Sequence, residues 1–241
     1  MEATARQIDG ADAVNALDQG VADNVFYEFD ADAVVAIWHA VEDLALEEAS
    51  GSLLAAIQEF SWVEAHRERY EQLALTVDHV EVIGTGVAPR RIARMKWVAD
   101  RKGAGKKFRA AIYEGPQVQV AFVAEQVNDA KEFEGRRFTG FYTFDAGLVA
   151  RLRADLLDLV AGRSDSLREF ARQRAIYEAG REIQRELTAQ REALAKAVRR
   201  LRLDGERYPP RQFVAELEKG LNRLVEWKDK MPKLIEQVEE N

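Results

Sequence analysis

The sequence predicts an α+β domain followed by an all-α extension. Strand-like and helix-like segments alternate up to residue 162, only helical spacings remain after it, and 47% of the 241 residues are hydrophobic, which is enough to bury a core. We therefore expect a small mixed or antiparallel sheet with flanking helices over residues 24–162. Residues 163–241 should form an antiparallel, coiled-coil-like helical hairpin, and residues 1–23 an N-terminal arm.

The first half of the predicted domain combines strands with two helices. Residues 24–29 (NVFYEF) carry the aromatic and β-branched side chains of a strand, and residues 30–50 place apolar side chains at helical spacing. Residues 52–60 (SLLAAIQEF) are apolar almost throughout, as in a buried strand, and residues 61–64 (SWVE) form a capping-box pattern that opens the second helix. Another strand is expected at 79–86 (HVEVIGTG).

The second half of the predicted domain is rich in strands. Residues 106–115 and 117–126 alternate with period two and meet at Gly115-Pro116, which signals a turn. Residues 136–145 (RRFTGFYTFD) make an aromatic strand, and regularly spaced leucines from Leu148 onward predict a closing helix. After residue 163, heptad spacing of apolar residues predicts two long helices that need a partner surface, so we expect a homodimer through 163–241.

Residues 90–109 form a basic strip in an acidic chain. The chain has a net charge of −7, whereas this strip holds nine basic residues and one acid, Asp100. Strand patterns at 90–99 and 106–115 predict a hairpin at the rim of the sheet, with residues 101–105 at its tip. The candidates for an exposed docking or anion-binding surface are Arg90, Arg94, Lys96, Arg101, Lys102, Lys106 and Lys107.

The composition argues against several classes of protein and site. Without cysteine, the chain has no disulfide, no thiolate metal site and no chromophore tethered through sulfur. The sequence contains no membrane-spanning stretch and no signal-peptide pattern, so we expect a cytoplasmic protein that uses no membrane. The net negative charge argues against nucleic-acid binding. We recognise no catalytic motif and no metal-ligand spacing, and therefore expect a protein that is not an enzyme.

Four short segments together resemble a known family. They are the Ala-hydrophobic-Glu-Asp stretch 40–43, Ile57-Gln58 at the end of a strand, the Arg-Tyr-x-x-Leu pattern that begins at Arg69, and the aromatic segment 137–145. They are similar to the DICT sensory domain, which is named for diguanylate cyclases and two-component systems, over residues 25–160. Lys107-Phe108 departs from the Glu-Trp usual in the family. The resemblance implies a sensory module with a four-stranded sheet, found beside signalling outputs and connected with responses to light.

The resulting hypothesis is a sensory protein that binds a small ligand or a noncovalent chromophore and signals through the helical hairpin to a signalling partner. Alternation along residues 138–144 divides their rings between two faces of one strand, so some of them belong to the core. A scaffold or dimerisation protein without a ligand is the alternative, and phosphate or nucleic-acid binding by the basic strip is a third. The candidates for the ligand pocket are Trp38, Gln58, Phe138, Phe141, Tyr142 and Phe144.

Overall fold

The structure is a computed structural model that describes residues 7–8, 25–88 and 92–203. One compact unit includes the described residues up to Ala171, and the described residues from Arg172 onward belong to a second unit. The strands in the described residues are β1 (Gln7–Ile8), β2 (Tyr27–Asp30), β3 (Ser52–Glu59), β4 (His79–Thr85), β5 (Met95–Ala99), β6 (Phe108–Glu114), β7 (Gln119–Gln126) and β8 (Arg137–Thr143). The helices are α1 (Ala31–Glu48), α2 (Ser61–Ala65), α3 (Arg67–Thr76), α4 (Ala146–Val160) and α5 (Arg168–Leu203).

The strands form one mixed sheet in the order β1-β2-β8-β7-β6-β3-β4-β5. From β2 to β3, successive strands of this order pair antiparallel. At the two ends of the sheet, β1 pairs in parallel with β2, and β3, β4 and β5 run parallel to one another. The predicted α+β class is therefore confirmed. The four-stranded sheet implied by the family resemblance is wrong, because the described residues contribute eight strands.

Helices cover both faces of this sheet. Ile37 and Val41 of α1 belong to the same buried cluster as Leu53 of β3 and Phe122 of β7. The alternate residues of the strands, such as Leu54, point to the opposite face, where the buried leucines of α4 supply the apolar cover. An aspartate caps the N-terminus of both helices. Asp30 accepts a hydrogen bond from the Ala33 amide of α1 at 2.8 Å, and Asp145 accepts one from the Leu148 amide of α4 at 2.6 Å.

The predicted hairpin in the basic strip is wrong. Strand β5 pairs in parallel with β4, with Val82 opposite Trp97, and β6 lies between β3 and β7. Residues 101–105 therefore connect the edge strand β5 to the middle of the sheet. Period-two alternation identifies both strands, but it carries no information about which strand lies beside which.

Two helical predictions also need comment. The capping box at residues 61–64 is absent, because α2 begins at Ser61 after Phe60 and has no side-chain cap. Helix α5 extends over 36 residues as the first arm of the predicted hairpin, whereas the second arm lies outside the described residues. The predicted N-terminal arm also lies outside them, apart from β1. No helix in the described part of the chain is long and apolar enough to cross a membrane.

Candidate functional site

Arg109 is the largest fully buried side chain in the described part of the chain. It is the second residue of β6, and its side chain lies on the face of the sheet that α1 covers, as do the side chains of Ala111 and Tyr113. Only 1% of Arg109 is exposed. The sequence analysis counted this arginine among the nine bases of the strip but not among the candidates for its exposed surface, and the structure buries it.

Three aromatic rings surround the Arg109 guanidinium. Its Cζ atom lies 5.5 Å from the ring centroid of Trp38, 4.9 Å from that of Trp62 and 5.3 Å from that of Phe133. The two indole rings are nearly parallel, at 11°, and Phe133 meets Trp62 edge-on with centroids 5.0 Å apart. We call Trp38, Trp62, Arg109 and Phe133 the arginine enclosure. Each ring is placed to attract the cation through its π-face.

The cation in the arginine enclosure is incompletely paired. The Nη1 of Arg109 donates to the Ile57 carbonyl at 2.9 Å, whereas its buried Nε has no hydrogen-bond partner. Burial lowers the pKa of Arg109 to about 9, and the nearby positive charge of Arg136 contributes in the same direction. A buried guanidinium without a carboxylate is electrostatically unfavourable in the protein alone.

Arg136 lies at the outer side of the arginine enclosure. Its guanidinium is 5.8 Å from the Phe133 ring centroid, and it donates to the Gln58 side-chain oxygen at 2.6 Å and to the Lys131 carbonyl at 3.0 Å. The Nε of Arg136 is also buried and has no partner. Two arginines therefore each present an unpartnered buried N–H donor in the same region of the domain.

A backbone irregularity positions Gln58 for this contact. Its φ of +56° lies in the left-handed region, and the pairing of β3 with β4 shifts register between Ala56 and Glu59. Only 6% of Gln58 is exposed, and its side-chain nitrogen donates to Gln126 at 3.3 Å. The bulge thus directs a buried amide toward Arg136 and the end of β7.

A buried carboxylate supports the arginine enclosure from α1. Glu42 is 1% exposed and accepts hydrogen bonds from the Trp38 indole nitrogen at 2.8 Å, from Arg69 and from Tyr70. Burial raises the pKa of Glu42, although Arg69 acts in the opposite direction. Burial and Glu42 together raise the pKa of Tyr70 well above its usual value. Glu42, Arg69 and Tyr70 are residues that carry the family resemblance, and they fix the orientation of Trp38.

The six candidates for the ligand pocket are not brought together at one place. Trp38 belongs to the arginine enclosure, Gln58 binds Arg136, and Phe138 lies behind Phe133 with ring centroids 6.4 Å apart. The other three lie elsewhere. Tyr142 is buried in the core beneath α1 and is 6.3 Å from the half-buried Phe144, whereas Phe141 packs on the opposite face with Phe26 and Phe170.

The candidates for the basic surface are also not brought together at one place. Arg94 and Lys107 are exposed, Lys96 forms an ion pair with Glu81, and Arg90 lies outside the described residues. Arg101, Lys102 and Lys106 are exposed and line one open cleft together with residues 84–86.

Four important residues were absent from the candidates, namely Trp62, Arg109, Phe133 and Arg136. Alternation along β6 contained a signal for one of them, because Arg109 has the parity of the inward-facing Ala111 and Tyr113. The other three precede or follow strands, and only the fold brings them together. No cluster of acids and histidines suited to a metal ion occurs in the residues that the structure describes.

Comparisons with known proteins add a family. Residues 14–120 match the model of DICT, the sensory domain in diguanylate cyclases and two-component system. No curated protein matches the chain. One solved structure that matches is the crystal structure of a polyphosphate kinase from Porphyromonas gingivalis, with 14% identity and a TM-score of 0.33 over 52% of this chain and 21% of that one. This structural similarity is too weak to support an inference about the function of the chain. Residues 14–120 are therefore similar to the DICT sensory domain, and this match indicates a sensory role in signalling.

Proposed function

We propose that the chain is a non-enzymatic sensory protein that binds a small anionic ligand at Arg109 and Arg136 and signals through α5 to a protein partner. The observation that carries the proposal is the pair of buried, unpartnered Nε atoms on these two arginines. The sensory role follows from the DICT family, and the anion is the part that the geometry adds.

The electrostatics of the arginine enclosure favour an anion. Neither Arg109 nor Arg136 forms an ion pair with a carboxylate in the described residues. Taking an ion out of water costs several kcal/mol, which an opposite charge at close range offsets. A bound anion would also bring the pKa of Arg109 back up from about 9, because it stabilises the charged form.

The surrounding side chains restrict the chemistry of the ligand. A carboxylate or phosphate oxygen accepts hydrogen bonds from the N–H groups of arginine, and the half-buried rings of Trp62 and Phe133 suit an apolar group of the ligand beside it. Trp62, Phe133 and Arg136 are half-buried, so the arginine enclosure reaches the surface on their side. A noncovalent chromophore with an acidic group belongs to this class of ligand, and it would make the protein responsive to light.

Strand β6 supplies a route from the arginine enclosure to α5. Phe108 precedes Arg109 and points to the opposite face, where its ring is 5.6 Å from that of Phe170. Phe170 lies in the first turn of α5. A displacement of Arg109 by a ligand would move the backbone at Phe108 and thus the packing of Phe170.

The test is to purify the protein from its native cell and record its absorption spectrum and native mass. We expect an additional mass or absorption from an anionic compound that unfolding releases. Arg109→Met and Arg136→Gln should lose it, whereas Arg137→Gln, which removes an exposed arginine one residue away, should retain it. A bare protein mass, or equal retention by all variants, would refute ligand binding in the arginine enclosure.

The alternative is a scaffold protein whose α5 only dimerises. The observation that favours it is Ile176, an apolar residue of α5 that is 46% exposed. Such a residue on a long helix is suited to burial against a second copy of the helix. We propose a homodimer through this helix in either case, because a sensor can signal through the same contact.

A further inference from the structure

We propose a second ligand site, for a small phosphorylated molecule, in the cleft at the ends of β4 and β5. This site is separate from the arginine enclosure and shares no residue with it. The cleft has a volume of about 470 Å³ and lies between two backbone segments, 84–86 after β4 and 99–103 after β5, with Lys106 at its side. Its volume is within the range of small-molecule sites, about 300–1,000 Å³.

The position of the cleft follows from the sheet topology. β4 and β5 are parallel, with Gly84 opposite Ala99, so their carboxyl ends open at the same edge of the sheet. In open sheets with parallel strands, ligands bind in the crevice beyond the carboxyl ends. The hairpin predicted from the sequence did not place β5 beside β4, so the sequence analysis did not predict this cleft.

The charge of the cleft is strongly positive. Arg101, Lys102 and Lys106 line it, all three are exposed, and none has an ion pair or hydrogen bond from its side chain in the described residues. The one acid in the lining is Asp100, which is 5% exposed and accepts from the Gly105 amide at 2.7 Å. Asp100 therefore holds the loop 101–105 in shape, while the three cations are exposed to solvent and form no ion pair with it.

Gly86 leaves room for a ligand at the cleft. Gly86 has a φ of +85°, and a Cβ at this position would have no neighbour within 4 Å, so the chain turns away and leaves open space. The side chain of Lys102 extends beside Gly162, which follows α4, because a Cβ at residue 162 would lie 2.7 Å from the Lys102 Nζ.

The chemistry of the cleft fits phosphate groups better than a single carboxylate. Three cations around a space of this size match the multiple charges and oxygen acceptors of a phosphate ester or a diphosphate. A nucleic acid would need an extended basic track along its backbone, and the chain has a net charge of −7. A small molecule with one or two phosphate groups is therefore the ligand that we assign.

The experiment is calorimetric titration of the full chain with inorganic pyrophosphate at low salt. We expect the unsubstituted protein to bind, and the double variant Lys102→Gln/Lys106→Gln to bind at least about tenfold more weakly, because each lost charge-assisted hydrogen bond is worth about a decade of affinity. The control Lys107→Gln/Lys131→Gln removes two exposed lysines that do not line the cleft and should bind within about twofold of the unsubstituted protein. Thermal unfolding checks that both variants are folded.

Four outcomes would overturn the proposal. They are no binding by the unsubstituted protein, equal weakening in both double variants, equal affinity for acetate and pyrophosphate, and tighter binding of a DNA duplex with a steep dependence on salt. The variant Arg109→Met separates the two sites. It should bind pyrophosphate as tightly as the unsubstituted protein does. Pyrophosphate binding therefore tests the cleft independently of whether the arginine enclosure binds a ligand.

Discussion

On burial, Arg109 loses its hydration and gains contacts with three aromatic rings and one backbone carbonyl. Desolvation of an ion costs several kcal/mol. Each cation–π contact returns about 1–2 kcal/mol when desolvated, and the charge-assisted hydrogen bond to Ile57 about 1.5–3 kcal/mol. These contributions nearly cancel, so the protein alone gains little from this buried charge. A residue with so small a net effect on stability is a candidate for a role in binding.

We therefore predict that Arg109→Met changes the free energy of unfolding by about 2 kcal/mol or less, because methionine fills the same space without a charge to desolvate. Chemical denaturation measures the change. Leu54→Ala, at a fully buried core position, should cost about 2–5 kcal/mol in the same assay. A loss from Arg109→Met as large as that from Leu54→Ala would make Arg109 a structural residue.

Glu42 and Asp43 provide a matched pair of acids beside one arginine. Arg69 contacts both, yet Glu42 has a side chain that is 1% exposed and Asp43 one that is 56% exposed. We predict that Glu42→Gln lowers the free energy of unfolding by about 2 kcal/mol or more, since it removes a buried charge that Arg69 and Tyr70 need. Asp43→Asn should cost about 1 kcal/mol or less. Equal effects in denaturation experiments would contradict this ranking.

At the level of the element, the bulge in β3 stores strain at Gln58. A non-glycine residue with φ of +56° costs about 1–2 kcal/mol. Gln58→Ala retains this cost and loses the hydrogen bond to Arg136, whereas Gln58→Gly loses the hydrogen bond and relieves the strain. Gln58→Gly should therefore be about 1 kcal/mol more stable than Gln58→Ala, as measured by denaturation. The opposite order would show that the left-handed conformation at residue 58 is not maintained.

Two histidines where α1 meets α2 lead us to predict that the stability of the domain depends on pH. The rings of His39 and His66 are 5.5 Å apart, and His66 stacks on Trp62. Burial lowers the pKa of both histidines below 6.5, and the charge of Arg69 contributes to both shifts. Asp43 acts in the opposite direction on His39. Since the unfolded chain takes up protons first, stability should fall as the pH drops through 6.5.

The measurement is thermal unfolding between pH 7 and pH 5. The double variant His39→Gln/His66→Gln should lose less stability over this interval than the unsubstituted protein. His79→Gln replaces an exposed histidine at the start of β4 and should behave as the unsubstituted protein does. If the double variant is as acid-sensitive as the unsubstituted protein, the two half-buried histidines are not the cause.

The helices and strands of this fold were more predictable from the sequence than the way in which the strands pair. Local patterns identified β3, β4, β6, β7 and α4, because apolar periodicity is a property of consecutive residues. Pairing is not local, so the parallel position of β5 and the cleft at its end escaped the sequence analysis. The arginine enclosure escaped for the same reason, since Trp62, Phe133 and Arg109 come from segments far apart in the chain.

At the level of the whole molecule, α5 is the element through which we propose that the domain reaches a partner. We predict that Ile176→Glu weakens a homodimer at least about tenfold, because a charge would be buried in the helix contact. Ala189→Glu adds the same charge at an exposed position outside the predicted apolar seam and should leave the dimer intact. Analytical ultracentrifugation measures both, and a monomeric unsubstituted protein would exclude the dimer.

The pairing of β2 with β8 determines when the domain can fold during synthesis. Phe29 of β2 lies opposite Phe138 of β8, so more than a hundred residues separate the two partners in the chain. The family match ends at residue 120, inside β7, before β8, Phe133 and Arg136 have been made. Until they emerge from the ribosome, β7 and β2 each lack their β8 partner, and the Arg109 side chain lacks part of its aromatic surroundings. The nascent chain is thus exposed to edge-to-edge association for as long as the ribosome takes to reach residue 143.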